Sequence, residues 1–145
     1  MPTKVGYIQV DGLYDINGNP ITLSGANYGV ITFMADGGGS AIATGIIADL
    51  VLPFSGTLQS WTLLADQASN TTIDLWKDVL ANFPPTVADT ITAAAKPALA
   101  AVAFNSSSAL TGWTTAITAG DTMRLNLDAN SAAQRITLTL VYRKT

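Results

Sequence analysis

The sequence predicts an antiparallel all-β fold, a sandwich, jelly roll or barrel, and three observations carry that prediction. About eight short segments with strand-like patterning follow one another at regular spacing, with turn residues between them. All ten acidic residues are aspartate and none is glutamate, a residue helices commonly place on their solvent faces, whereas threonine, valine, isoleucine, asparagine and glycine suit strands and tight turns. No segment makes a convincing helix. The alanine-rich stretch 87–104 is interrupted by Pro97 and has threonines at 90 and 92, so it reads as two short strands around a loop.

The chain of 145 residues, 48% of them hydrophobic, is long enough for one core and too short for two ordinary domains. The pattern divides it into an N-terminal arm or hairpin, residues 1–28, and one β domain, residues 29–145. In the arm, Asn17-Gly18 between short apolar segments signals a hairpin turn. The domain opens with the strand 30–34, followed by the loop 35–40, whose three consecutive glycines permit unusual backbone angles. Residues 46–53 form a short apolar run ended by Pro53. In residues 57–66, Trp61, Leu63 and Ala65 share one face and Leu58, Ser60, Thr62 and Leu64 the other, which predicts burial on both sides.

Residues 71–79 alternate more cleanly. Ile73, Leu75 and Val79 share a face with Lys77, and Asp74, Trp76 and Asp78 share the opposite face, away from the core. Phe83-Pro84-Pro85 enforces an extended or turning segment in which a cis bond before Pro84 is allowed. A polar loop, 105–109, precedes a run at 110–117 and a turn at 119–121. The last two strands are the clearest: Met123, Leu125 and Leu127 alternate with Arg124, Asn126 and Asp128, and Ile136, Leu138, Leu140 and Tyr142 with Thr137, Thr139, Val141 and Arg143. They are predicted to pair with each other across a loop at Asn130.

Composition excludes several functions. The formal charge is −3 and the seven basic residues are scattered from Lys4 to Lys144, so the concentrated positive face that nucleic acid requires is missing. The N-terminus lacks the apolar core of a secretion signal, and no apolar stretch approaches the roughly 20 residues that span a bilayer. The expectation is a soluble product made in the cytoplasm, with no membrane partner. There is no cysteine and no histidine, which removes disulfides, Ser-His-Asp and Cys-His catalysis and the usual zinc sites. No cofactor or resident metal is expected.

The remaining candidates are few. Asp74 and Asp78 around Trp76 form a carboxylate pair of the kind glycosidases use, although such a pair on one strand face is usually solvated surface. Asp15, Asn17 and Asn19 have the opening spacing of a calcium loop, but Pro20 and Ala26 stand where glycine and glutamate are required. Gly37-Gly38-Gly39 lacks the Lys-Ser/Thr pair of a phosphate cradle and reads as a turn. Trp76, with Asp74 and Asp78, and Trp113 are candidates for a subunit interface or for stacking on a glycan. A mean hydropathy of +0.33 with 12% charged residues is high for an isolated monomer and predicts apolar surface covered by partners.

Residues 58–67, LQSWTLLADQ, followed by IDLWKD at 73–78 and NFPPTVADTI at 82–91, and then by LTGWTT at 110–115 and ITAGD at 117–121, resemble a domain of structural proteins of tailed bacteriophages. The likeness spans about residues 29–145. It implies an antiparallel β-sandwich of jelly-roll type on the outer surface of a virion, commonly in trimers. The short arm in place of a shaft resembles a capsid decoration, or cement, protein bound as a homotrimer to the major capsid protein or another virion protein, with Lys4, Tyr7 and Tyr14 as attachment candidates. The alternative is a tail or fibre tip module binding a host receptor or surface glycan. Neither role is enzymatic.

Overall fold

The computed structural model describes Asn17 and residues 27–145. Asn17 lies exposed in a turn; Lys4, Tyr7, Tyr14 and the remainder of the expected arm, Asn27 and Tyr28 excepted, lie outside the described residues. The described chain is all-β, with seven strands: β1 (Tyr28–Asp36), β2 (Gly45–Val51), β3 (Gly56–Asp78), β4 (Ala98–Ser107), β5 (Ala116–Ile117), β6 (Thr122–Asn130) and β7 (Arg135–Lys144). Two single 3-10 turns, Leu80–Asn82 and Val87–Asp89, are its helical content. Among the described residues no helix is long and apolar enough to cross a membrane.

Every strand pairing is antiparallel, and the strands form one curled sheet in the order β1-β7-β3-β6-β2, with β4 and β5 also paired to β3. The 23-residue β3 sets the architecture by changing partners along its length. Residues 56–65 pair with β7, and residues 71–78 pair with β6. Both parts feed one core: Leu58, Trp61 and Leu63 from the first, Ile73 and Leu75 from the second, with the inward rows of β6 and β7 against them. The segments that read from the sequence as two runs are thus two arms of one strand.

Between the arms, residues 66–70 form a polar corner held by side chains. Asp66 Oδ1 accepts from the backbone N–H of Gln134 and Arg135, and Gln67 Nε2 donates to the Ala132 carbonyl. Ser69 and Thr71, both buried, bond to Asn130, whose Nδ2 donates to the carbonyls of Ile42 and Ala133. The corner therefore fixes the four-residue link between β6 and β7. Desolvated hydroxyls and amides with partners at these distances hold a single geometry, because leaving any one unpaired costs about 1–3 kcal/mol.

Three expectations need correction. First, β6 and β7 do not pair with each other: β3 lies between them, and their short link arches across its corner. Second, residues 57–66 are not buried on both sides. A register shift between Leu58 and Ser60 moves the inward phase from even to odd positions, so Leu58, Trp61 and Leu63 are buried while Leu64 is exposed. Third, β4 extends into the predicted loop as far as Ser107, and residues 110–117 contain only the two-residue β5. The stretch 87–104 holds one 3-10 turn, an isolated bridge at Thr90 and the start of β4, with Ala101 at positive φ where β4 breaks register against β3. The Phe83–Pro84 bond is cis.

Candidate functional site

Asp74, Trp76 and Asp78 do project from the side of β3 opposite the core, but that side is covered. Residues 90–97 run along the free edge of β3: Ile91 N–H donates to the Leu75 carbonyl, Ile73 N–H to the Pro97 carbonyl, and Thr90 bridges Trp76. Antiparallel register then places Thr92 beside Asp74. Asp74 is 1% exposed, and its Oδ1 accepts from Thr90 Oγ1 at 2.6 Å and Thr92 Oγ1 at 2.7 Å. Its Oδ2 meets Lys96 Nζ at 3.0 Å, and the same ammonium lies 2.6 Å from Asp128 on β6.

Burial alone would push the Asp74 carboxyl up, but the hydroxyls of Thr90 and Thr92, the Trp76 indole and Lys96 together hold it below the usual 3.8. The indole N–H contributes although it is not aligned for a hydrogen bond. The Lys96 ammonium is in turn raised above 10.5, chiefly by its bond to Asp128, with burial opposing and Asp74 adding. This is a carboxylate held toward its charged form, with structural partners at both oxygens. Asp78 instead closes the strand end, where its Oδ1 accepts from the Val79 N–H. Four residues along an extended strand separate the two carboxylates by about 13 Å, beyond the roughly 5–10 Å over which a glycosidase pair acts.

A second cluster pins the cis-proline loop. Arg124, next to Trp76 across β3 and β6, makes a two-point contact with Asp49 of β2, Nε to Oδ1 at 2.6 Å and the second amino nitrogen to Oδ2 at 2.8 Å. It also donates to the Pro85 carbonyl and lies 5.6 Å from the centre of the Phe83 ring. Because a lysine cannot supply this planar fork, Arg124→Lys is expected to loosen residues 83–85 while leaving the sheet intact. Faster amide hydrogen exchange confined to the loop, with unchanged protection in β6, is the measurement.

Trp113 is a core residue: it is buried and its indole N–H donates to the Ala95 carbonyl at 2.8 Å. Trp61 is likewise buried. Of the glycan or interface candidates, Trp76 and Asp78 retain partial exposure, Trp76 lies beside Asp74, and Trp113 is in the core. Among the described residues no three acidic side chains gather as ligands for a metal ion.

An open surface lies elsewhere, on the outward face of β1, β7, β3 and β4. Register places Val30, Val141 and Ser60 in one row; Thr32, Thr139, Thr62 and Ser106 in the next; Met34, Thr137, Leu64 and Phe104 in a third. Directly opposed residues share a face, so these rows form one surface without a charged side chain. Met34, Leu64 and Phe104 are 68%, 47% and 70% exposed. Periodicity alone does not reveal this face, because Leu64 reads as core and Val141 as simple alternation; the available signal is the unbroken lack of charge from Tyr28 to Ala35 and from Ile136 to Tyr142.

No protein-family model matches the chain, and no curated protein is significantly similar to it.

Proposed function

We propose that this chain is a non-catalytic structural module that works through contact surfaces, and that its setting is the outside of a bacteriophage particle, where it decorates the capsid as an oligomer. The observation that carries the first part is the uncharged outward face of β1, β7, β3 and β4, with large exposed apolar side chains in register on adjacent strands. Soluble surfaces usually intersperse charge across such an area, and contiguous apolar surface is a mark of contact sites. The geometry around Asp74 supports the same reading, because its carboxylate is occupied by structural partners. The virion setting rests on the sequence resemblance. The same resemblance supports closure of the curled sheet as a jelly-roll sandwich, with the two arms of β3 in opposite layers.

Electron cryomicroscopy of phage particles carrying the protein tests the setting. Density of this fold over the icosahedral shell is the expected result; density confined to a tail or fibre end would replace the decoration role with host recognition, and the absence of density would remove the virion setting. Deleting residues 1–26, which leaves β1 whole, is expected to abolish particle binding in a sedimentation assay while leaving the far-ultraviolet β spectrum unchanged. Unchanged binding would take the arm out of the attachment.

A further inference from the structure

Among the described residues, β1 is an edge strand without the devices that block edge-to-edge pairing. Among the described strands it pairs only with β7, in continuous register over nine residues from Tyr28 to Asp36 with no bulge. It contains no proline, and its first charged side chain is Asp36 at its end. Natural edges are usually interrupted by proline, lysine, a bulge or a covering element, since a flat uncharged edge offers its free N–H and C=O groups to another strand. Its outward residues Val30 and Met34 are exposed and begin uncharged rows described above, and Tyr28 is exposed opposite Arg143.

Charge is confined to the two ends of this edge. At one end lie Asp36 and Asp66 with Arg135, whose Nε is 3.0 Å from Asp36 and whose backbone N–H is bound by Asp66. At the other end lie Arg143, opposite Tyr28, and Lys144. The carboxylate-rich end and the cationic end are thus separated by the length of the strand, an arrangement complementary to itself when reversed.

We propose that β1 pairs with β1 of a second copy of this chain, antiparallel, across a twofold axis at Thr32. Full overlap of the nine residues sets the register: Thr32 faces its own counterpart, Val30 faces Met34 of the second copy, and Tyr28 faces Asp36 of the second copy. A slip of one residue would put outward side chains against inward ones, and a slip of two would leave both ends unpaired. In this register the hydroxyl row Ser106, Thr62, Thr139 and Thr32 continues into the same row reversed. The apolar row ending at Met34 runs into Val30 and Val141 of the second copy, and the cationic end of each copy comes beside the carboxylate end of the other. A self-complementary patch of this kind closes at two copies. The inference departs from the trimer that the resemblance implies; it stands on the strand edge alone and survives a failure of the virion reading.

Sedimentation equilibrium of the full chain tests it with three proteins. The wild-type chain is expected to show a concentration-dependent dimer. Thr32→Lys and Thr32→Glu are each expected to sediment as monomers, with wild-type circular dichroism and melting, because like charges then meet at the axis. Mixing the two variants is expected to restore a dimer with one copy of each, since opposite charges then face each other. A wild-type monomer throughout would overturn the proposal. A particle of three copies, variants that associate like wild type, or a mixture that stays monomeric would overturn it as well.

Discussion

Asp74→Ala will lower the unfolding free energy by about 3 kcal/mol in chemical denaturation, a loss typical of removing one partner from a buried ion pair. The carboxylate is 1% exposed, accepts from two threonine hydroxyls and is ion-paired with one ammonium, so the substitution strands Thr90 and Thr92 and removes one of the two partners of Lys96. The partial exposure of Lys96, which keeps Asp128 as a partner, holds the loss near the lower end of the range for buried pairs. The damage will be local first. Residues 90–97 are tied to β3 by two backbone bonds and by this carboxylate, so their amides will exchange faster before the core opens.

The same group sets an acid limit. The folded Asp74 carboxyl lies below its unfolded value of 3.8, so its contribution is fully present above about pH 4 and fades as the pH falls through the folded value. Lys96 has the opposite sense: raised above 10.5 in the fold, it contributes below that value and ceases to contribute as the pH rises past its folded one. In the Asp74→Ala protein the acid branch of the stability profile will flatten while the neutral plateau drops. A profile that falls in parallel with wild type below about pH 4 would show that other carboxylates set the limit.

The sheet order and the covered face show where sequence reasoning reaches and where it stops. The inward rows of β6 and β7 are legible because each strand faces the core with strict two-residue alternation and no bulge within β7. Their failure to pair is not, since a four-residue link normally reports a hairpin, and only the polar corner of β3, unremarkable as a string of Asp, Gln, Ser and Asn, reveals the strand between them. Leu58 and Leu64 share parity, so the bulge that sends them to opposite sides leaves no mark on periodicity. The side taken by Asp74, Trp76 and Asp78 is legible; its cover is not, because the covering residues 90–97 follow after a proline-rich loop and carry three consecutive alanines that suggest no strand. Thr90, Thr92 and Lys96 are the visible trace, polar side chains at strand spacing in an otherwise apolar stretch.

Gly29→Ala is expected to cost about 3 kcal/mol, at the upper end for overpacking a tight core, and the loss should depend on one aromatic ring. A methyl at Gly29 would overlap Tyr142 Cζ and lie 2.5 Å from its hydroxyl oxygen, and Tyr142 is buried with its ring against the core. The tyrosine fits only because both neighbouring strands leave room for it: at Gly56 of β3 a methyl would meet Tyr142 Cδ2 at 2.9 Å. Tyr142→Leu, which removes the atoms nearest Gly29, will itself destabilise by creating a cavity. In that background, however, Gly29→Ala should cost no more than about 1 kcal/mol, a coupling of roughly 2 kcal/mol between neighbours. Gly56→Ala should behave differently. Its methyl would overlap the Arg143 carbonyl oxygen, a backbone atom that Tyr142→Leu leaves in place, so the double substitution should bring little relief. Denaturant titration of the single and double variants, read as two cycles that share Tyr142→Leu, separates the cases. Equal rescue at both glycines would mean that the ring, rather than the β3–β7 backbone contact, governs the close approach of the strands.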